Sequence, residues 1–177
     1  MSIPNELPMD PLKELGQMLA DAGAHPRINR SGLAPSILHD TTYHVAVIAC
    51  AMRSHASGSR HRILGAWLKL LQFVAARPSL VANLRQYSQS KRGKDRDNWP
   101  LMPRGYLGDQ THDGVVELLV AARILGRDGD YLECADQFHV LDALASRVAT
   151  DGMFVGERNI LGQLTDLRPT KALMGGL

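Results

Sequence analysis

A chain of 177 residues suffices for one ordinary domain or two small lobes, and at that size roughly 70% of the unfolded surface is buried on folding, so no disulfide or metal staple is required. Hydrophobic residues at 45% and charged residues at 21% exclude disorder along the whole chain, and Cys50 and Cys134 have neither the number nor the spacing of a disulfide framework or a structural zinc site. The net charge of +2 hides a segregation: residues 60–107 hold ten Lys/Arg against two Asp/Glu, residues 1–59 four against five, and residues 108–177 six against eleven.

The opening, MSIPNELPMD, has no basic start and no apolar stretch of a secretory signal, and no run of about 18 apolar residues occurs anywhere. A reducing, cytoplasmic address is expected, with no membrane among the partners. Pro11 to Ala22 reads as a short amphipathic helix, with Asp10 as N-cap, Pro11 at the first helical position, and Leu12, Leu15, Met18 and Leu19 at helical spacing. Gly23 to Ala34 is loop-like, so residues 1–34 form an arm. Its four apolar residues are the candidate partner-binding set, because an amphipathic helix set apart by a loop can dock in a partner's groove. It can equally pack back on its own domain.

From Pro35 to about His55 a second helix is expected, with Ile37, Thr41, Val45, Ile48 and Met52 along one side, ending at the Ser57-Gly58-Ser59 break. His61 to Ala76 gives a wide apolar stripe of Leu64, Trp67, Leu68, Leu71 and Val74, leaving Lys69 and Gln72 outside it. A further helix starts near Pro78 and fades into a polar stretch, Ser88 to Asp97. Trp99-Pro100-Leu101-Met102-Pro103 reads as an extended anchor. Residues 35–107 are therefore a helical lobe with a basic loop.

In residues 108–177, Thr111 is positioned to cap a helix running to Leu125, apolar on most sides, with Asp113 in its first turn. Asp128-Gly129 follows as a two-residue turn signal between short strands. A helix followed at once by a tight hairpin is the ending of a winged-helix unit. Helices are then expected over Asp136 to Thr150, with Phe138, Leu141, Leu144, Ala145 and Val148 on one face, and around Ile160 to Leu167 after the Gly152 break. The fold class is thus mainly α: a helical domain with a winged-helix-like C-terminal unit carrying a short β-hairpin.

The usual catalytic signatures are missing. Gly93-Lys94 is followed by Asp95, and Ser88 stands where a phosphate-binding P-loop needs its first glycine. There is no G-x-S-x-G, H-E-x-x-H or C-x-x-C. Five of the seven histidines, His25, His39, His44, His55 and His61, fall in the first 61 residues, but His39 and His44 are five apart and so diverge on a helix. His112-Asp113 spells the dyad of metal phosphohydrolases, although a helix start explains both residues. No catalytic residue, metal or cofactor is expected. Lys91, Arg92, Lys94 and Arg96 are the candidate DNA-binding residues, since each base that neutralises a phosphate releases counterions. Asp95 and Asp97 dilute that field, and a solvated loop is the plainer alternative.

At Leu68 to Val74 through Arg77-Pro78, and at Thr111-His112-Asp113-Gly114-Val115-Val116-Glu117-Leu118-Leu119-Val120 running into Arg127-Asp128-Gly129-Asp130, the chain resembles the small middle components of three-component ABC-ATPase systems. These are similar to the small subunit of Lamassu-type defence complexes. The resemblance covers about residues 35–172, including Pro169-Thr170-Lys171. It implies an accessory subunit bridging an SMC-like ABC ATPase and an effector, often a nuclease, in immunity against phage or plasmids, with non-specific double-stranded DNA as a further contact. The alternative is a stand-alone winged-helix regulator, for which the helix before the wing, with Arg123 its only basic residue, is poorly suited to the major groove.

Overall fold

The computed structural model describes residues 40–89 and 110–169, together with Gln17, Met18 and Asp21. The chain begins there with α1 (Thr41–His55), capped by the Asp40 carboxylate, which accepts from the Thr42 amide at 2.7 Å. Every residue from Tyr43 to Met52 is buried, so α1 is surrounded on all sides rather than amphipathic. It packs against α2 (Gly65–Ala75), α4 (Gln110–Ala121), α5 (Phe138–Thr150) and α6 (Val155–Gln163). A further helix, α3 (Leu80–Gln89), lies between α2 and α4 in the chain and buries Val81 and Leu84.

The predicted helix over His61 to Ala76 divides in two. Ile63–Leu64 form β1, and helix begins only at Gly65. Its partner is β3 (Tyr131–Cys134), which pairs antiparallel with β1 through Ile63↔Leu132 and Leu64↔Tyr131, and with β2 (Leu125–Asp128) through Leu125↔Cys134 to Asp128↔Tyr131. The sheet order is β1-β3-β2. The hairpin loop is Gly129-Asp130, one residue later than the Asp128-Gly129 signal, and Gly129 takes the positive φ of +58° that such a turn requires.

α4 stops at Ala121, short of the expected Leu125, in a Schellman motif. Arg123 sits at φ +57°, its amide donates to the Val120 carbonyl at 3.0 Å, and the Ile124 amide donates to the Leu119 carbonyl at 2.9 Å. Gly152, at φ +67°, ends α5 in the same way, with Met153 N–H donating to Val148 at 3.1 Å. Thr111 lies inside α4 rather than before it. Leu164 and Leu167 are buried, but past the end of α6.

Helix α1, strand β1, helix α2, helix α4 and the β2–β3 hairpin follow one another in winged-helix order, with α5 and α6 packed on α1. The described parts of residues 35–107 and 108–177 share one hydrophobic core, in which Ile48, Met52, Trp67, Leu68, Leu71, Leu119, Ile124, Leu141 and Leu161 are buried together. At about 25 cal/mol per Å² of apolar surface, burying each such side chain contributes about 1.5–3 kcal/mol. Among the described residues no helix is long and apolar enough to cross a membrane.

Candidate functional site

At the root of the wing, the first turns of α2, the N-terminal half of α4 and the β2–β3 turn enclose a cleft of about 630 Å³. The turn is drawn onto α2 by one backbone bond, Gly65 N–H to the Asp130 carbonyl at 2.8 Å. A Cβ at position 65 would stand 3.3 Å from that same carbonyl oxygen, so the close approach favours glycine.

Lys69 and Gln72, read from the sequence as facing outward, are both buried, at 9% and 3% exposure. The reason is that α2 is covered on more than one side, so polar residues off its main stripe meet neighbours instead of water. Lys69 Nζ donates to both carboxylate oxygens of Asp113 at 2.7 Å. The Lys69 side chain is 10% exposed and that of Asp113 57%, so the pair runs from the core edge to solvent. Behind it, the Gln72 amide joins two buried imidazoles: its nitrogen meets His44 Nδ1 and its oxygen meets His112 Nδ1. With the amide so oriented, His44 accepts at Nδ1 while His112 donates there.

The outer wall is also charge-paired. Arg127 of β2 bonds Glu117 of α4, and Arg62 donates to Asp128 at 2.9 Å while its guanidinium lies 4.6 Å from the Tyr131 ring centroid. Each positive group at the cleft thus faces a carboxylate. The exposed face of α4 carries Gln110, Asp113, Gly114, Glu117 and Ala121, two acids and no base. That is the helix a DNA-reading winged-helix unit inserts in the major groove.

His112 lines the cleft but is 2% exposed and engaged by Gln72. Burial, then Asp142 and Glu133, push the Cys134 thiol up to about 11, and burial likewise raises Cys50; neither is a thiolate at neutral pH. Among the described residues no three His, Cys, Asp or Glu side chains come together to hold a metal.

Of the predicted site residues, Lys91, Arg92, Lys94 and Arg96 lie outside the described residues, as do Leu12, Leu15 and Leu19. Met18 is partly buried against the core. His25 and His39 also lie outside, and His61 is exposed at φ +45°. Lys69, Gln72, Glu117 and Arg127 were not singled out by sequence; the only pointer was the His112-Asp113 dipeptide, whose partners sit 40 and 44 residues away.

Fold and cleft together define a mainly helical, winged-helix-like protein with a charge-paired cleft at the wing root. Comparison with known protein families, with curated proteins and with solved structures gives no match.

Proposed function

We propose that this chain is a non-catalytic, cytoplasmic accessory subunit of a bacterial anti-phage or anti-plasmid defence complex, bridging an SMC-like ATPase and a nuclease-type effector. The observation that carries the reading is the α4 face: beside the wing its exposed side holds no base, and its two acids, Asp113 and Glu117, are already paired with Lys69 and Arg127, which leaves no free positive charge on this helix for a phosphate backbone and suits a protein partner. The resemblance of residues 68–78 and 111–130 to the small subunits of such systems supports the same role. The stand-alone regulator shares the winged-helix order but needs positive charge on this helix.

Full-length chain, tagged and expressed at its native level in its own cell, is expected to co-elute with a large coiled-coil ATPase. Elution alone, with tight binding to a palindromic operator, would establish the regulator instead. The isolated chain is expected neither to hydrolyse ATP nor to cleave DNA. A metal-dependent nuclease activity that is lost in Asp113→Asn, a substitution at an exposed position, would overturn the non-catalytic assignment. Deleting residues 1–30 tests the arm: association that survives the deletion removes Leu12, Leu15, Met18 and Leu19 from the interface.

A further inference from the structure

A second cavity, of about 410 Å³, opens where the C-terminal half of α1 meets α5 and the start of α6. Its wall carries two guanidinium groups from different helices, Arg53 and Arg158, with Ser54 and Asn159 beside them, and among the described residues no Asp or Glu lines it. Arg158 is held in place by α5: its Nη1 donates to the Val148 and Ala149 carbonyls at 3.3 and 3.2 Å. Those bonds occupy the helix-end carbonyls that would otherwise repel an anion, and they leave Nε and Nη2 without a partner among the described residues. Arg53 donates to Ser146 Oγ and has a long 3.9 Å contact from Nε to Asp142, whose side chain is half exposed. That pair is weak enough to exchange for a better anion.

The geometry points to this cavity as a binding site for a small phosphate monoester, with Arg53 and Arg158 clamping the phosphate and Ser54 and Asn159 as further donors. Two guanidiniums call for about two negative charges, which a phosphate monoester carries at neutral pH and a single carboxylate does not. Arginine donors are also spaced for paired phosphate oxygens. The volume lies within the roughly 300–1,000 Å³ of small-ligand pockets, with Leu161, Ala145 and Ala149 as an apolar wall for the organic part. A half-open site among three helices admits a terminal phosphate. At its floor, Cys50 feels both arginines: burial raises the thiol, and Arg158 and then Arg53 lower it. Both arginines and Cys50 line the same cavity. This site is independent of the bridging role.

The test uses the full chain with adenosine monophosphate as the probe at constant ionic strength in potassium chloride. Saturable binding heat is expected in a calorimetric titration, with matching broadening of the probe's phosphorus resonance. Arg53 is half exposed, so Arg53→Gln leaves the fold intact and is expected to raise the half-saturating concentration about tenfold, the loss of a charge-assisted bond. Inorganic phosphate should bind at higher concentration, and adenosine should not bind. Absence of saturation, equal binding of adenosine, or an unchanged half-saturation in Arg53→Gln would each overturn the site. Binding of a short DNA duplex that is lost in Arg53→Gln, where the monophosphate does not bind, would reassign the arginines to a nucleic-acid backbone and overturn it as well.

Discussion

Gln72 ties three helices together with one side chain. Its amide satisfies His44 from α1 and His112 from α4 while its backbone belongs to α2. Gln72→Leu keeps the volume but withdraws a donor from one buried ring and an acceptor from the other. The expected cost is about 1–3 kcal/mol, read as a lower denaturation midpoint at unchanged m-value. Substituting His112 in the Gln72→Leu background should cost less than in the wild type, because the two share one network. Additive losses would mean that the bonds are not coupled. His55 is a third buried imidazole, with Nε2 at 3.0 Å from the Leu161 carbonyl. Burial lowers its pKa below the ordinary 6.5; the Leu161 carbonyl opposes this and Arg168 adds to it. Below pH 6.5 the unfolded chain therefore binds a proton that the folded chain resists. Stability should fall as pH drops from about 6.5 through the depressed folded value, and be insensitive to this group above. His55→Phe should flatten the dependence in that window by up to one proton, and equal slopes in the two proteins would rule His55 out as its source.

At the scale of elements, the same substitution has opposite signs at two glycines. Gly129 holds the hairpin turn at φ +58° with open space around a would-be Cβ, and Gly114 lies exposed within α4, also with nothing nearby. Gly129→Ala should cost about 1 kcal/mol through left-handed backbone strain alone. Gly114→Ala should stabilise by about 0.5–1 kcal/mol through helix propensity. Thermal midpoints of the two variants test this directly; a shift in the same direction would contradict the turn geometry. These elements also show what periodicity reveals. The helices at 41–55, 80–89 and 138–150 were legible because each repeats apolar residues locally, and the hairpin because Asp-Gly is a local signal, whereas the last helix, at 155–163, starts before and ends short of the expected Ile160 to Leu167 because Leu164 and Leu167 are buried beyond its end. β1 was not legible. A two-residue strand exists only through a partner 67 to 69 residues away, which no window along the chain contains. Lys69 and Gln72 were misplaced for the same reason: apolar spacing identifies one buried face of α2, and their burial depends on Asp113, His44 and His112 brought in by other elements.

Across the whole molecule, charge is unevenly shared. Residues 60–107 carry an excess of eight positive charges and residues 108–177 an excess of five negative ones. Within the described core much of this is neutralised by pairs that cross the boundary: Arg62 with Asp128, Lys69 with Asp113, and Arg85 with Asp166 at 3.1 Å. The basic excess of the middle segment is therefore partly structural, and under the proposed function Lys91, Arg92, Lys94 and Arg96, which lie outside the described residues, are the candidates for DNA affinity in the complex. Four phosphate contacts should give a slope of log affinity against log salt of about −3.6 on duplex DNA, reduced by Asp95 and Asp97. Replacing all four with alanine should flatten that slope and weaken binding equally for every sequence, because backbone contacts carry no base information. If these residues instead face an acidic surface of another subunit, the DNA slope stays unchanged while assembly weakens at low salt, where unscreened charge contributes most. Measuring both quantities on one four-alanine variant separates the two roles, and an unchanged DNA slope would remove this segment from the DNA contact.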